Sequence, residues 1–117
     1  MLRGEIWWAK APMSGSSPKR RPMLIVSDDA FNANDRYLKV MVVHLTSSRR
    51  LGGPFDWEVD FPRGTAGLEQ TSIAKCGEIY TLWKRQLEGP AGTTPPKLMQ
   101  KVDRALAVAL GLTSATE

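Results

Sequence analysis

Three consecutive cations, Lys19-Arg20-Arg21, close the polar stretch KAPMSGSSPKRR and stand directly before the apolar run PMLIVS. A second pair, Arg49-Arg50, follows Thr46, Ser47 and Ser48 at the end of the apolar stretch LKVMVVHL. Arginine presents a planar fork that binds phosphate through two parallel hydrogen bonds, and hydroxyls add further donors. If the two apolar runs are neighbouring strands, Arg21, Thr46, Ser47 and the arginine pair meet on one side and outline a phosphodiester site. The alternative is that these charged loops are simply solvated. His44, the only histidine, has an ordinary pKa of about 6.5 and is the natural general acid or base. A period of two places it beside Thr46; a hydrogen-bonded structural role is the competing reading. Glu78 follows Cys76-Gly77 at a suspected bulge, where sheets re-aim side chains.

The elements that must position these groups follow from the pattern. Glu5–Ala9 is aromatic and β-branched and reads as a first strand. A second strand is expected over Pro22–Ser27, entered immediately after Arg21, with Pro22 at its first position. Asp28–Asp35 suits a helical turn or a structured loop. Leu38–Leu45 is expected to be a central strand buried on both faces, with Val40, Val42, His44 and Thr46 on one side and Met41, Val43 and Leu45 on the other. Phe55–Phe61 alternates, so Phe55, Trp57, Val59 and Phe61 are expected to face the core and Asp56, Glu58 and Asp60 the solvent. Thr71–Cys76 and Ile79–Leu82 read as one strand interrupted near Gly77. Trp7 and Trp8 point to opposite faces. Tyr80 and Trp83 suit core or interface packing. A helix is predicted from Pro95 to Leu110, capped by the Thr94 hydroxyl, ended by Gly111, and packed through Leu98, Val102, Leu106, Ala109 and Leu110. Five or so short strands and one C-terminal helix make a compact antiparallel barrel the expected architecture.

Composition bounds the chemistry further. A chain of 117 residues has room for one domain. One Cys excludes an intrachain disulfide, and one His leaves no zinc ligand set of the usual kinds. Sixteen Lys plus Arg against twelve Asp plus Glu give a formal charge of +4, which makes an anionic partner such as nucleic acid plausible. There is no glycine-rich phosphate loop and no nucleophile elbow. No apolar run approaches the roughly 20 residues of a membrane span, and MLRGEIWW lacks the apolar centre of a signal peptide, so a cytoplasmic location is expected.

In series, RGEIWW (3–8), GSSPKRRPMLIVSDDAFN (15–32), VMVVHLTSS (40–48), GLEQTSIAKCGEIYTL (67–82) and LMQKVDRALAVALGL (98–112) resemble the MazF/PemK toxin family, in the same order and over nearly the whole chain. The resemblance implies a mainly β, SH3-like small barrel with a C-terminal helix, spanning 1–117 with a tail at 113–117. It implies a homodimer that cuts single-stranded RNA at short sequences without a metal or other cofactor. The 2′-hydroxyl attacks the adjacent phosphorus to leave a 2′,3′-cyclic phosphate and a 5′-hydroxyl, and a cognate antitoxin with an acidic tail neutralises the enzyme. By position, Arg21 matches the family arginine before the proline, Thr46 the threonine at the scissile phosphate, and Lys75 a place where some members carry a catalytic arginine. Lys19, Arg20, Ser47, Arg49, Arg50 and Lys75 are the expected RNA contacts. The family's usual base positions hold Ser16 and Ser17 in one case and Gly77 followed by Glu78 in the other. His44 or Glu78 is therefore expected to serve as the base. A non-catalytic barrel that binds nucleic acid or a protein target, as gyrase poisons of related structure do, is the alternative.

Overall fold

The computed structural model of the chain describes residues 1–11, 19–47 and 52–114. Six strands form one antiparallel sheet: β1 (Glu5–Ala11), β2 (Lys19–Ile25), β3 (Lys39–Thr46), β4 (Glu58–Phe61), β5 (Ser72–Trp83) and β6 (Leu87–Thr93). Their order is β4-β5-β3-β2-β1-β6. Two helices, α1 (Asp29–Ala33) and α2 (Pro96–Ala109), complete the fold. A 3₁₀ turn over Thr65–Gly67 follows β4 and packs against β6, bringing the two ends of the sheet together. Backbone meets backbone there: a Cβ on Gly67 would lie 2.2 Å from the Ala91 carbonyl oxygen, and one on Gly92 would lie 2.4 Å from that of Ala66. Only glycine allows this closure.

Each face of the sheet carries an apolar cluster. Ile6, Leu24, Val43, Leu45, Phe61, Ala74 and Cys76 pack with Val102, Ala105 and Leu106 of α2. On the opposite face Ala9, Met23, Ile25, Val40, Val42 and Leu82 form a second cluster, with Trp7 and Tyr80 packed on it. β3 contributes to both, as its near-continuous apolar sequence predicts. The link from β2 to β3 is pinned by polar groups. Asp28 caps α1 by accepting from the Ala30 N–H at 3.0 Å. Buried Asn32 holds Ser27 through its side-chain amide, and the Ser27 hydroxyl accepts from the Met41 N–H at 3.0 Å. This lock fixes the β2–β3 register, with Met23 opposite His44.

Several sequence expectations are corrected. β2 begins at Lys19, so Pro22 is an interior residue; it is tolerated because pairing with β3 starts only at Met23. β4 covers only Glu58–Phe61: Phe55 and Trp57 lie outside the core at 44% and 40% exposure and stack on each other at 4.8 Å. Glu58, expected in solvent, is buried and accepts from the Phe55 N–H. The helix is N-capped by Pro95, and buried Thr94 Oγ1 caps nothing. Ala109 and Leu110 are exposed rather than on the buried stripe. Gly111 at φ +75° does end the helix, with the Leu112 N–H returning to the Ala107 carbonyl. β6 is a sixth strand that the sequence pattern hides.

β5 runs without a break, yet it bulges where expected. A two-residue advance on β3, from Val43 to Leu45, is matched by a five-residue advance on β5, from Ala74 to Ile79. The excess is odd, so it exchanges the faces of β5. Cys76 below the bulge enters the helix-side core, whereas Tyr80 above it lies with Val42 on the other face.

Candidate functional site

The bulge lies opposite His44 and turns three polar side chains toward one another. His44 Nε2 is 3.3 Å from Glu78 Oε1, and Lys75 Nζ is 3.3 Å from Glu78 Oε2. The carboxylate is thus shared between an imidazole and an ammonium. The Tyr80 ring meets the His44 ring edge-on at 5.7 Å. His44 retains 13% of its side-chain exposure, while Glu78 retains 47%. With Nε2 turned to Glu78, the other ring nitrogen, Nδ1, is buried and has no hydrogen-bond partner among the described residues. Of the pair, only Glu78 opens widely to solvent.

Burial holds the His44 pKa below 6.5, aided by the positive charges of Lys75 and Arg21 and opposed by the contact with Glu78. The imidazole is therefore neutral at pH 7. For Glu78, partial burial pushes the pKa up, but the hydrogen bond from His44 and the charge of Lys75 outweigh it and hold the carboxyl below 4.5. It is ionised at neutral pH. Burial raises Tyr80, with the Glu78 charge adding to it. Desolvation, with Glu58 and Asp103 adding to it, pushes the Cys76 thiol up to about 12. That thiol remains protonated inside the core, so it is no nucleophile.

Following the Met23–His44 pair outward along both strands reaches Arg21 and Thr46, which line a cleft of about 480 Å³. Lys19, Arg20 and Ser47 line the same cleft. Five of the residues selected from sequence are thereby brought together at the ends of β2 and β3. Arg21 stands two residues before Met23, the partner of His44, and Thr46 two residues after His44, so this cleft adjoins the Glu78 cluster along both strands. Arg20 is held in place, its guanidinium 4.6 Å above the Trp8 ring and 3.4 Å from Glu88. Arg49 and Arg50 lie outside the described residues. Sequence reasoning missed Trp8, Glu69, Gln70 and Ser72, which complete the cleft wall. The strand phase separates Trp8 from Trp7, but no local signal brings Gln70 to the same cleft.

Among the described residues no group of three or more His, Cys, Asp or Glu side chains could hold a metal ion, and no helix is long and apolar enough to cross a membrane. The arrangement can bind a phosphodiester through cations and hydroxyls and present a carboxylate beside it.

Residues 2–110 match the family model of the PemK-like, MazF-like toxins of type II toxin-antitoxin systems. The chain belongs to this family. It is 38% identical over 112 residues to endoribonuclease MazF6 of Mycobacterium tuberculosis, covering 94% of this chain and 96% of the relative. It is equally similar to endoribonuclease MazF2 of Mycobacterium bovis. Among solved structures, a mycobacterial endoribonuclease in complex with its cognate antitoxin superposes with a TM-score of 0.78 at 32% identity, covering 97% of each chain. The MazE-MazF complex of Deinococcus radiodurans shares the fold at a TM-score of 0.73 and 20% identity. The MazF-like fold is thus the one described above: a six-stranded antiparallel sheet with a C-terminal helix.

Proposed function

We propose that this MazF-family endoribonuclease toxin cuts single-stranded RNA at short sequences with its own side chains as catalysts, leaving a 2′,3′-cyclic phosphate and a 5′-hydroxyl. The observation that carries this reading is the meeting of Arg21, Thr46 and Ser47 in one cleft, with the half-exposed carboxylate of Glu78 held against His44, two residues before Thr46. Glu78 takes the proton of the 2′-hydroxyl. The oxygen attacks the adjacent phosphorus, the bond from phosphorus to the 5′-oxygen breaks, and that oxygen leaves with a proton from solvent. Arg21 and Thr46 face the charge that builds on the phosphoryl oxygens, and Lys19 and Lys75 contribute to holding the strand. His44 acts behind Glu78 as the neutral group that orients the carboxylate. Of the two bases considered from sequence, Glu78 is preferred because the unpartnered nitrogen of His44 is buried.

Two partners belong to the same reading. An acidic antitoxin segment competes with RNA for the cations of the cleft, as fits a chain in a type II toxin-antitoxin family. A second copy of the chain covers the apolar patch of Ile79, Leu110 and Leu112, which are 36%, 59% and 76% exposed around a groove also lined by Val26 and Met41. The cytoplasm, where messenger RNA is met, is the proposed place of action. The test is incubation of the purified protein with a long RNA in the presence of EDTA. Discrete fragments with 5′-hydroxyl ends are expected; intact RNA with retained binding would turn the reading to a non-catalytic nucleic-acid barrel.

A further inference from the structure

The ends of β3 and β5 remote from the cleft carry cations that the cleavage chemistry does not use. Trp83 closes β5 and pairs with Lys39, the first residue of β3. Its indole stays 39% exposed, and two cations lie over it, with Lys39 Nζ 4.6 Å and Arg85 Cζ 4.9 Å from the ring centroid. Among the described residues neither cation has a carboxylate within ion-pair distance. Two like charges held on one ring without a counter-charge repel each other and favour an anion between or beside them. The loop from α1 to β3 widens this patch. Lys84 ties it down, its N–H donating to the Leu38 carbonyl at 2.8 Å and its Nζ to the Asn34 carbonyl at 3.0 Å. Arg36, Tyr37 and Leu38 are thereby left exposed beside Lys39, with the Tyr37 ring set edge-on against Phe31 at 4.7 Å. Asp35 is the only carboxylate of that loop.

We infer that Lys39, Trp83, Arg85 and Tyr37 form a second docking site for single-stranded RNA, which holds the sugar-phosphate chain outside the cleft while Arg21 and Thr46 hold the phosphate to be cut. This rests on the proposed RNA cleavage for its ligand. Cations interleaved with exposed aromatic rings make a surface that tracks a single strand: the cations follow the phosphates and the rings meet unstacked bases. Such contacts go to phosphates and ring faces, so they add affinity without selecting a sequence. An acidic peptide would use the charges and leave the rings idle. β3 covers eight residues from Lys39 to Thr46, which sets the patch roughly 24 Å from the cleft at about 3.4 Å per residue. Only an RNA that continues past the cleft spans both places, and its second contact is then intramolecular. Lys39 and Trp83 stand next to Met41 and Thr81 in the strand register, outside the groove assigned to a second copy.

The test measures binding without cleavage, on 2′-O-methyl RNA that lacks the attacking hydroxyl. An oligonucleotide of about 5 nucleotides occupies the cleft alone, and one of about 20 reaches the patch as well. The neutral variant Lys39→Gln, Arg85→Gln should bind the long RNA on the order of tenfold more weakly, and its slope of log affinity against log salt should fall by about 1.4, or roughly 0.7 for each lost phosphate contact. Its affinity for the short RNA should not change. The charge-conserving variant Lys39→Arg, Arg85→Lys should restore both affinity and slope, which separates charge from fold. The Trp83 indole NMR signal should move with the long RNA and not with the short one. On a cleavable long RNA the neutral variant should raise KM and leave kcat alone. Wild-type affinity and slope in the neutral variant, an equal loss for both lengths, or a loss that the charge-conserving variant does not restore overturns the docking site. So does a neutral variant that loses its dimer mass in light scattering, or one that binds long RNA normally and fails to bind polyglutamate. A protein that leaves cleavable RNA intact yet shows the length-dependent loss keeps the docking site and loses the proposed reaction; one that cuts RNA without that loss does the opposite.

Discussion

Replacing Glu78 by Gln removes the proposed base and little else. The side chain keeps its length, and its carbonyl oxygen can still accept from His44 Nε2, now 3.3 Å from Oε1. What disappears is the lone pair that takes the 2′-hydroxyl proton, together with a negative charge 3.3 Å from Lys75. A positioned general base contributes about 10²–10⁴-fold, or roughly 3–6 kcal/mol at about 1.4 kcal/mol per tenfold. The loss should fall on kcat. KM should stay or improve, because a charge that repels the polyanionic substrate is gone and Lys75 is released toward it. Glu78 itself is 47% exposed, so stability should change by less than about 1 kcal/mol. The pH profile adds a second reading. With Glu78 as base, kcat/KM rises with pH through a value below 4.5 and is flat above it. Because both influences that raise the His44 pKa come from Glu78, the variant should lower that pKa further, and the single histidine makes its NMR titration unambiguous. Single-turnover cleavage of a fluorogenic RNA measures the rate. A variant within threefold of the wild type, or one whose loss appears wholly in KM, refutes the assignment and returns the role to His44.

Arg21→Ala should reduce kcat by about 10²–10³-fold, the usual effect of deleting a donor to developing charge, while Thr46→Ala, losing a neutral hydroxyl contact, should cost roughly tenfold or less; the same cleavage assay measures both. Gly92→Ala forces a Cβ to within 2.4 Å of the Ala66 carbonyl oxygen and should destabilise the fold by about 1–3 kcal/mol through overpacking, read as a lowered midpoint in urea. His44 has a folded-state pKa below 6.5, so the unfolded chain binds the proton more readily. Stability is therefore expected to be lost as pH falls from about 6.5 toward the folded value, and His44→Gln should flatten that slope in thermal melts; because His44 also helps to hold Glu78 below 4.5, the variant should at most reduce, and not enlarge, the loss below pH 4.5. Leu110→Lys with Leu112→Lys places charges on the proposed dimer patch and should give a monomer by light scattering, whereas an unchanged mass would remove that patch from the interface.

Legibility followed the range of the forces involved. β3 and α2 declare themselves because their burial patterns have a clear period, and the register that brings Arg21 and Thr46 together follows once β2 and β3 are taken as neighbours. β4 misled for a local reason. Alternation in FDWEVDF satisfies the pattern of a half-buried strand, but the turn in which the Glu58 N–H donates to the Phe55 carbonyl at 2.9 Å takes the first three residues out of the sheet. β6, with sequence LEGPAGT, reads as a loop by composition. It is a strand because it is an edge, where Pro90 needs no second neighbour, and because Gly92 admits the turn that closes the sheet. The cleft wall of Glu69 and Gln70 was invisible for the same reason, since it depends on that closure.

The bulge on β5 is where fold and chemistry meet. A regular strand would continue the phase of Ala74 and Cys76, so Glu78 and Tyr80 would enter the helix-side core, where an ionised carboxylate beside Cys76 carries a large desolvation cost. The odd excess of residues opposite His44 sends them to the other face instead. It also brings Lys75 and Glu78 within 3.3 Å of each other across a short arc of chain. Deleting Gly77 would therefore do more than shorten a turn: it would restore phase to the face assignment the sheet abandons at Cys76. Gly77 directly follows Cys76, and a Cβ at that position would lie 2.8 Å from Trp57 Cδ1. The indole thus occupies the space a side chain at 77 would need, while the carboxylate of the next residue, Glu78, reaches His44 at 3.3 Å.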